Sequence, residues 1–578
     1  MEFGNVLLLL SVLFSALSVF GFVKRWKLGF YALVGYTLSI TLALLLLLHY
    51  FLIHDYNVIY VYEYSDNTLP LVYLVSAIWA GKEGSLLLWI FFLAVFNVIF
   101  YLRSKDDIAL AVSSSVFLFL SIMLLLISNP FERWAYHPTN GFGLNPLLRT
   151  PEMVLHPPVV FLAYSSMTIP FAITISSVIR GESWIGKVRK PLLITWLFLT
   201  LGIFLGMLWS YKVLGWGGFW GWDPVENASL LPWLTVTALL HGIMVEERRK
   251  ALGNLNYWLC VLSFDLVILA TFITRSGIIN SVHAFAKNPV GMAYLVLIIG
   301  ATVFSAIVWM IERDRFPKGS IPTSSVDFLL FVNVLLLLII TLTVLLGTLA
   351  GISVSVSRAY YQTVVLPLIA ITIVLSGMCT GGDTVKGLGV GAIAFIIVLL
   401  LFKAPLLATV VGICAFAFVN HVPSISTKGR RLGGYLAHFG VMCLLIGAIG
   451  AWYYSVNYSL TLMEVGQSAR LGNVYVKLLD AKMFDLPDRI EVIAKLLLKI
   501  GNESYVLAPK DIVYKIVRAD RLVSVVDIVS TPFRDIYVAM PSCIHGFYFE
   551  IHIIPLISFV WISMLLFTVG GLYAILRR

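Results

Sequence analysis

Apolar runs of about 18–25 residues recur along this chain, separated by short polar stretches, and each can cross the ~30 Å hydrocarbon core of a bilayer as a helix. A crossing segment has to be helical, because no water is present there to satisfy open backbone groups. This constraint outweighs every other. With 60% hydrophobic and only 12% charged residues, the chain cannot present the polar surface of a soluble globular protein. The formal charge of +10 invites a nucleic-acid reading, but the Lys and Arg residues are spread through short loops, as membrane insertion requires. No nucleic acid is therefore expected, and the lipid bilayer is the first partner.

Loop charge sets the expected orientation. Met1–Val23 lacks a basic leader and a cleavage site, so it reads as a retained first span. Lys24, Arg25 and Lys27 hold the following loop in the cytoplasm, which puts the N-terminus outside. Further spans are predicted near 29–53, 85–102, 108–128, 154–179, 191–209, 224–246, 255–273, 290–311, 326–350, 363–380, 388–402, 404–421, 435–453 and 553–575, leaving Arg577 and Arg578 inside. Between 455 and 549 the pattern changes. Short alternating runs such as Asn473–Lys477 and Tyr505–Leu507, broken by Asp, Pro and Gly, read as strands. The expected fold is an all-α polytopic membrane protein of about 15 transmembrane helices with a small β-rich extracytoplasmic domain near the C-terminus. Its parts are a helical bundle over 1–454 that includes a Trp-rich external loop at 209–227, the domain at 455–549, and a C-terminal transmembrane helix at 550–578. The cell membrane is the expected location, with the active face extracytoplasmic. The five cysteines (Cys260, Cys379, Cys414, Cys443, Cys543) form no C-x-x-C or C-x-x-C-H. The chain thus has no c-type heme attachment site, zinc site or disulfide network of its own.

The most unusual stretch is Gly215-Trp-Gly-Gly-Phe-Trp-Gly-Trp-Asp-Pro-Val-Glu-Asn-Ala-Ser229. Glycines let backbone approach a flat partner closely, and indoles add wide apolar faces with one N–H donor each. A porphyrin with two propionates is such a partner. The competing reading is an interfacial Trp belt. Asp223 before Pro224 is a strong helix-start pattern; it caps a helix or orients an indole N–H.

The order of these residues resembles the WWD signature of heme-handling proteins of cytochrome c biogenesis. Leu144–Leu148, Leu155–Pro158, Trp222–Ser229, Arg275–Gly277, Ser281–Phe285, Ala437–Gly440 and Trp79–Trp89 are similar to one branch, the CcmF-type cytochrome c heme lyases. Phe219 and Gly221 depart from it, standing where that pattern has Trp and an aromatic residue. The resemblance implies a lyase that takes heme from a chaperone of the CcmE kind and attaches it to the C-x-x-C-H of apocytochrome c. It further implies a resident membrane heme b with two axial histidines, and a transient second heme as substrate near the tryptophan loop. Other lyase-complex subunits and quinol are further partners in that reading. Two alternatives stay open: a heme transport or chaperone-loading protein, and a quinol-oxidising membrane b-type cytochrome.

The family pattern picks out His156, His241, His283 and His438. At about 1.5 Å rise per residue, His438 lies roughly 10 Å from the inner boundary at Arg431, and His241 lies about 8–10 Å from the same boundary. His156 is about 36 Å from Arg180, at the outer surface, and His283 falls in an outer loop. Depth therefore pairs His241 with His438 as ligands of the iron of the membrane heme. It leaves His156 and His283 with Trp216, Trp220, Trp222, Asp223 and Arg275 for the external heme. His156 with His438 is the rival membrane pair. Arg275 either meets a propionate or snorkels to the interface. No side chain is expected to act as a catalytic acid or base.

Overall fold

The computed structural model describes residues 2–577 apart from 136, 278–289, 352–355, 381, 428–431, 463, 516–521 and 544–545. Among the described residues, fifteen helices are long and apolar enough to cross a membrane. They are α1 (Phe3–Val23), α2 (Leu28–Leu52), α3 (Lys82–Ser104), α4 (Asp107–Leu126), α5 (Pro151–Arg180), α6 (Ile185–Val213), α7 (Pro224–Arg249), α8 (Gly253–Arg275), α9 (Val290–Glu312), α10 (Val326–Ala350), α11 (Arg358–Met378), α12 (Thr384–Phe402), α13 (Pro405–Thr427), α14 (Leu432–Tyr453) and α15 (Ile557–Leu576). The chain is a polytopic membrane protein, and its hydrophobic runs map onto these helices one for one.

Close approach between helices is set by small residues, since lipid tails give apolar side chains no reason to leave the bilayer for each other. Gly433, Gly440 and Gly447 recur along one face of α14. A Cβ at each would come within 2.5 Å of the Gly570 carbonyl, 3.1 Å of Phe567 and 2.8 Å of Val560, all on α15. The same device joins α5 to α6. A Cβ at Gly202 would come within 2.8 Å of Val160, and one at Gly206 within 3.0 Å of His156.

The β-rich region lies between α14 and α15. One antiparallel sheet contains β1 (Val456–Leu462), β10 (Phe547–Pro555), β9 (Arg534–Ser542) and β8 (Asp527–Ser530) in that order. A second contains β2 (Ser468–Leu471), β3 (Val474–Asp485), β4 (Arg489–Ile500), β6 (Lys510–Tyr514) and β7 (Leu522–Val525), with β5 (Glu503–Leu507) also on β4. Alternate residues of both, among them Leu462, Val476, Leu498, Val538, Phe549 and Ile551, fill one apolar core. β10 runs to Pro555, so the final helix starts at Ile557, past the predicted 553. The apolar stretch before it alternates as a strand, and Leu556 in left-handed conformation (φ 59°) makes the corner.

This region sits at the tryptophan-loop end of the bundle and is fastened there. The Tyr211 hydroxyl at the end of α6 donates to Asp535 at 2.9 Å. Arg149, buried in the connection between α4 and α5, pairs with Asp66 at 3.0 Å and lies 4.6 Å over the Tyr514 ring. Burial pushes the Asp535 carboxyl above the usual range, with the Tyr211 bond working against that shift.

Candidate functional site

Residues 214–223 connect α6 to α7 and fold over the end of the bundle as a lid. Gly215 and Gly217 take left-handed φ of 75° and 70°. A side chain at Gly217 would meet His552 of β10 at 2.8 Å, and one at Gly218 would enter the Trp216 ring at 2.2 Å. The glycines thus let the loop fit between its own indole and the β-rich region. Trp222 is also left-handed (φ 58°), which costs a non-glycine residue about 1–2 kcal/mol. Two contacts hold it: Asn227 donates to its carbonyl at 3.1 Å, and its ring stacks on Tyr361 at 4.9 Å and 2°. Asp223 is the N-cap of α7, accepting from the Val225 N–H at 2.9 Å. The Glu226 carboxylate reaches back to the N–H groups of Asp223 and Gly221, at 3.0 and 2.8 Å. Cap and lid are one hydrogen-bonded unit.

Trp220 separates two cavities and lines both. The apolar one, of ≈ 210 Å³, lies between α7, α10, α11 and α14. Phe219, Trp222 and Trp452 close its lid end, with Phe219 stacked on Trp452 at 5.4 Å and 8°. His241 and His438 line the same cavity, their ring centroids 6.0 Å apart with 16° between planes. His241 Nδ1 is 2.8 Å from the Thr237 carbonyl, a contact only the Nδ1–H tautomer can make. His438 Nδ1 is 2.9 Å from Nε2 of His421, whose own Nδ1 is 2.6 Å from the Ala417 carbonyl. Donation from His421 Nδ1 leaves its Nε2 as acceptor, so His438 is the Nδ1–H tautomer as well. Both cavity histidines therefore keep the Nε2 lone pair.

Thr237 also belongs to a reciprocal clamp between α6 and α7. Trp196 Nε1–H donates to Thr237 Oγ1 at 3.0 Å, and Trp233 Nε1–H donates to Thr200 Oγ1 at 2.8 Å. The two indoles stack at 6.0 Å. Each helix supplies a Trp and a Thr four residues later, on one face.

Among the described residues, no group of three or more His, Cys, Asp or Glu side chains converges as if on a metal ion. Two facing imidazoles alone would under-coordinate a bare cation. They suit an iron already held by four porphyrin nitrogens. The residues fit a bis-imidazole heme.

The second cavity, of ≈ 370 Å³, is more polar, and its walls include Asn145, His156, Trp209, Trp220, Glu226 and Arg275. His156, in the first turns of α5, has Nδ1 2.9 Å from the Gly202 carbonyl. It lines this cavity and not the one containing His438. Arg275 is only 2% exposed, so it does not snorkel. Its guanidinium donates to the Lys82 carbonyl (3.1 Å), the Tyr294 hydroxyl (3.2 Å) and Ser85 Oγ (2.7 Å), and lies 5.2 Å over the Phe161 ring. Trp216 lines neither cavity; its ring lies under Arg358 at 4.2 Å and its N–H donates to Ser210. His283 lies outside the described residues.

Three contributors are absent from the sequence reading, His421, Trp452 and Tyr361, and a fourth, Glu226, stands there only inside the quoted stretch, without a role. Only Glu226 carries a local signal, the acid three residues after an N-cap Asp. The others arrive through contacts between helices distant in sequence.

The geometry can be set beside known proteins. The sequence model of the family described as cytochrome C assembly protein matches residues 79–279. The chain is 30% identical to "Cytochrome c-type biogenesis protein CcmF" of Haemophilus influenzae, over 100% of this chain and 98% of that protein. It is 31% identical to the protein of the same name from Escherichia coli, over 93% and 89%. It is likewise 31% identical to "Cytochrome c-type biogenesis protein NrfE" of Haemophilus influenzae, over 100% and 99%. In fold it matches a solved structure titled "Cytochrome c Heme Lyase CcmF" with a TM-score of 0.85 at 23% identity, covering 100% of this chain and 97% of that one. Whole-length similarity of this kind, joined to a Trp-rich lid over paired cavities, places the chain in the CcmF family of cytochrome c biogenesis proteins.

Proposed function

We propose that the protein is a cytochrome c heme lyase, or the core subunit of one, working at the lid face, which is extracytoplasmic with the N-terminus outside and the C-terminus inside. The single observation that carries the reading is the pair of unlike cavities on either side of Trp220. The polar cavity receives the heme to be attached, delivered by a chaperone of the CcmE kind. His156 faces the iron, Arg275 offers its buried charge to a propionate, and Trp220 of the lid covers the ring. His283 completes that set by sequence position. Apocytochrome c presents its C-x-x-C-H at the lid. Thioether formation adds each thiol S–H across a vinyl group of the heme, with no net oxidation. What it needs from the chain is contact distance and exclusion of water, which positioning groups supply without an acid or base.

His241 and His438 hold a resident heme b through their Nε2 atoms. That cofactor supplies one-electron exchange when bound, with quinol as the electron source and other lyase-complex subunits as further partners. Thr237 and His421 fix the tautomers and ring orientations of the two ligands. The apolar walls keep water from the iron.

Spectra and covalent heme staining on a co-expressed apocytochrome c test this together. The purified protein is expected to show a low-spin heme spectrum that His241→Ala and His438→Ala abolish and His156→Ala leaves intact. All three variants should lose most stain on the cytochrome. A colourless wild-type protein from heme-replete cells, or a low-spin spectrum that survives His438→Ala, would overturn the reading.

A further inference from the structure

The two cavity histidines are anchored differently. His241 uses the simplest anchor a helix provides, the carbonyl four residues back, and His421 does the same with Ala417. His438 does not. Its Nδ1 reaches across to Nε2 of His421 on α13. His421 is fully buried and gripped on three sides, with ring centroids 5.6 Å from Tyr435, 5.0 Å from His438 and 5.9 Å from Phe439, two of these contacts being nearly perpendicular. An ionisable side chain buried at this depth is costly and generally has a task. Pinned by Ala417, the His421 ring can offer His438 only its Nε2 lone pair.

The acceptors differ in strength. The Thr237 carbonyl already takes a helix bond as well as the His241 N–H. The His421 Nε2 lone pair goes to His438 alone, and an imidazole nitrogen is a stronger base than an amide oxygen. A stronger acceptor on Nδ1–H makes the opposite nitrogen a better electron donor, and such outer partners tune both ligand basicity and the potential of a heme iron.

We propose that His421 is a positioning residue for His438: it locks the Nδ1–H tautomer, aims Nε2 into the apolar cavity and makes His438 the stronger donor of the two axial imidazoles. This rests on the reading of His438 as a ligand. The consequence is a resident heme whose oxidised form is favoured more than two carbonyl-anchored histidines would favour it.

Two substitutions separate this from packing. His421→Gln places a carboxamide near the position of Nε2 and keeps an acceptor for His438. His421→Asn is shorter, matches the Nδ1 end and removes that acceptor. Each full-length variant is purified, checked for monodispersity and heme-to-protein ratio, and titrated for its midpoint potential with paramagnetic resonance of the oxidised state. The expected result is a small shift to more positive values for Gln, whose amide oxygen holds the tautomer but accepts more weakly than imidazole, and a larger positive shift for Asn, with changed low-spin resonance positions. Loss of heme in Asn that Gln restores supports the same assignment. Identical potentials and resonances in wild type and Asn would overturn it, as would equal displacement or equal heme loss in Asn and Gln. The His438→Ala spectrum reads separately: a surviving low-spin signal there removes the ligand assignment itself, whereas its loss beside an unmoved Asn variant removes only the role of His421.

Discussion

The cavities on the two sides of Trp220 are made from opposite materials. The one containing His241 and His438 is walled mainly by Leu, Val, Ile and Trp, and its two imidazoles are bonded away from the space at Nδ1. Asn333 Oδ1 and the indole nitrogens of Trp222 and Trp452 line it without a hydrogen-bond partner among the described residues. The other brings a carboxylate, a guanidinium, an amide and an imidazole to one surface. Under the proposed function, a ligand in the first would be held by its metal and by apolar contact, and a ligand in the second at its charged edge. The difference teaches how one fold could keep one porphyrin and release another: coordination from both faces of an apolar slot is slow to undo, whereas a ligand held at a charged edge exchanges with incoming partners.

The largest effect should come from removing the partition. Trp220→Ala opens one cavity into the other and, as a large aromatic truncation in a packed site, costs about 3–5 kcal/mol. Thermal melting should fall, and both the resident low-spin spectrum and cytochrome staining should be disturbed. If only one changes, the two cavities are not sharing that wall in function.

Arg275→Met should separate the sides. It strips hydrogen bonds from Ser85, Tyr294 and the Lys82 carbonyl, but Ser85 keeps its bonds to the Gly81 and Lys82 carbonyls, so the cost is about 1–3 kcal/mol in all. Staining of the cytochrome should drop on the order of tenfold, with the resident heme spectrum unchanged. A shifted spectrum would mean that the polar cavity reaches the apolar one.

The smallest effect sets a baseline away from both cavities. Burial pushes the Asp511 carboxyl in β6 up to about 6, only partly offset by the neighbouring Cys543 thiol. A folded-state value above the unfolded one means that the stabilising contribution is complete below the ordinary carboxyl range and is lost as pH rises through about 6. Asp511→Asn should therefore raise the melting temperature at pH 7, and the gain should vanish near pH 4. The heme spectrum should not move. An equal gain at both pH values would show that the carboxyl is not carrying the effect.

Much of this molecule could be read from the residues in order. Spans announce themselves because a bilayer tolerates few polar groups, and the matched depth of His241 and His438 follows from helix rise counted from Arg248 and Arg431. The lid was visible as composition, and the cap on α7 as Asp223-Pro224. What escaped was lateral. Helix rise gives height but no neighbour, so Tyr361 beneath Trp222, Trp452 against Phe219 and His421 behind His438 had no local trace. The strand at 547–555 was partly hidden for another reason: its inward residues run directly into those of α15, and only the alternation of Glu550 and His552 marks the boundary.

The crossed Trp–Thr bonds between α6 and α7 have a further consequence. A ring suspended from a doubly braced pair of helices has little freedom to follow a change of charge at its tip. The opposite ring is pinned as well, through His421 to the Ala417 carbonyl. Both jaws of the grip are fixed, so under the proposed function a change of charge on the iron would meet little rearrangement from either side.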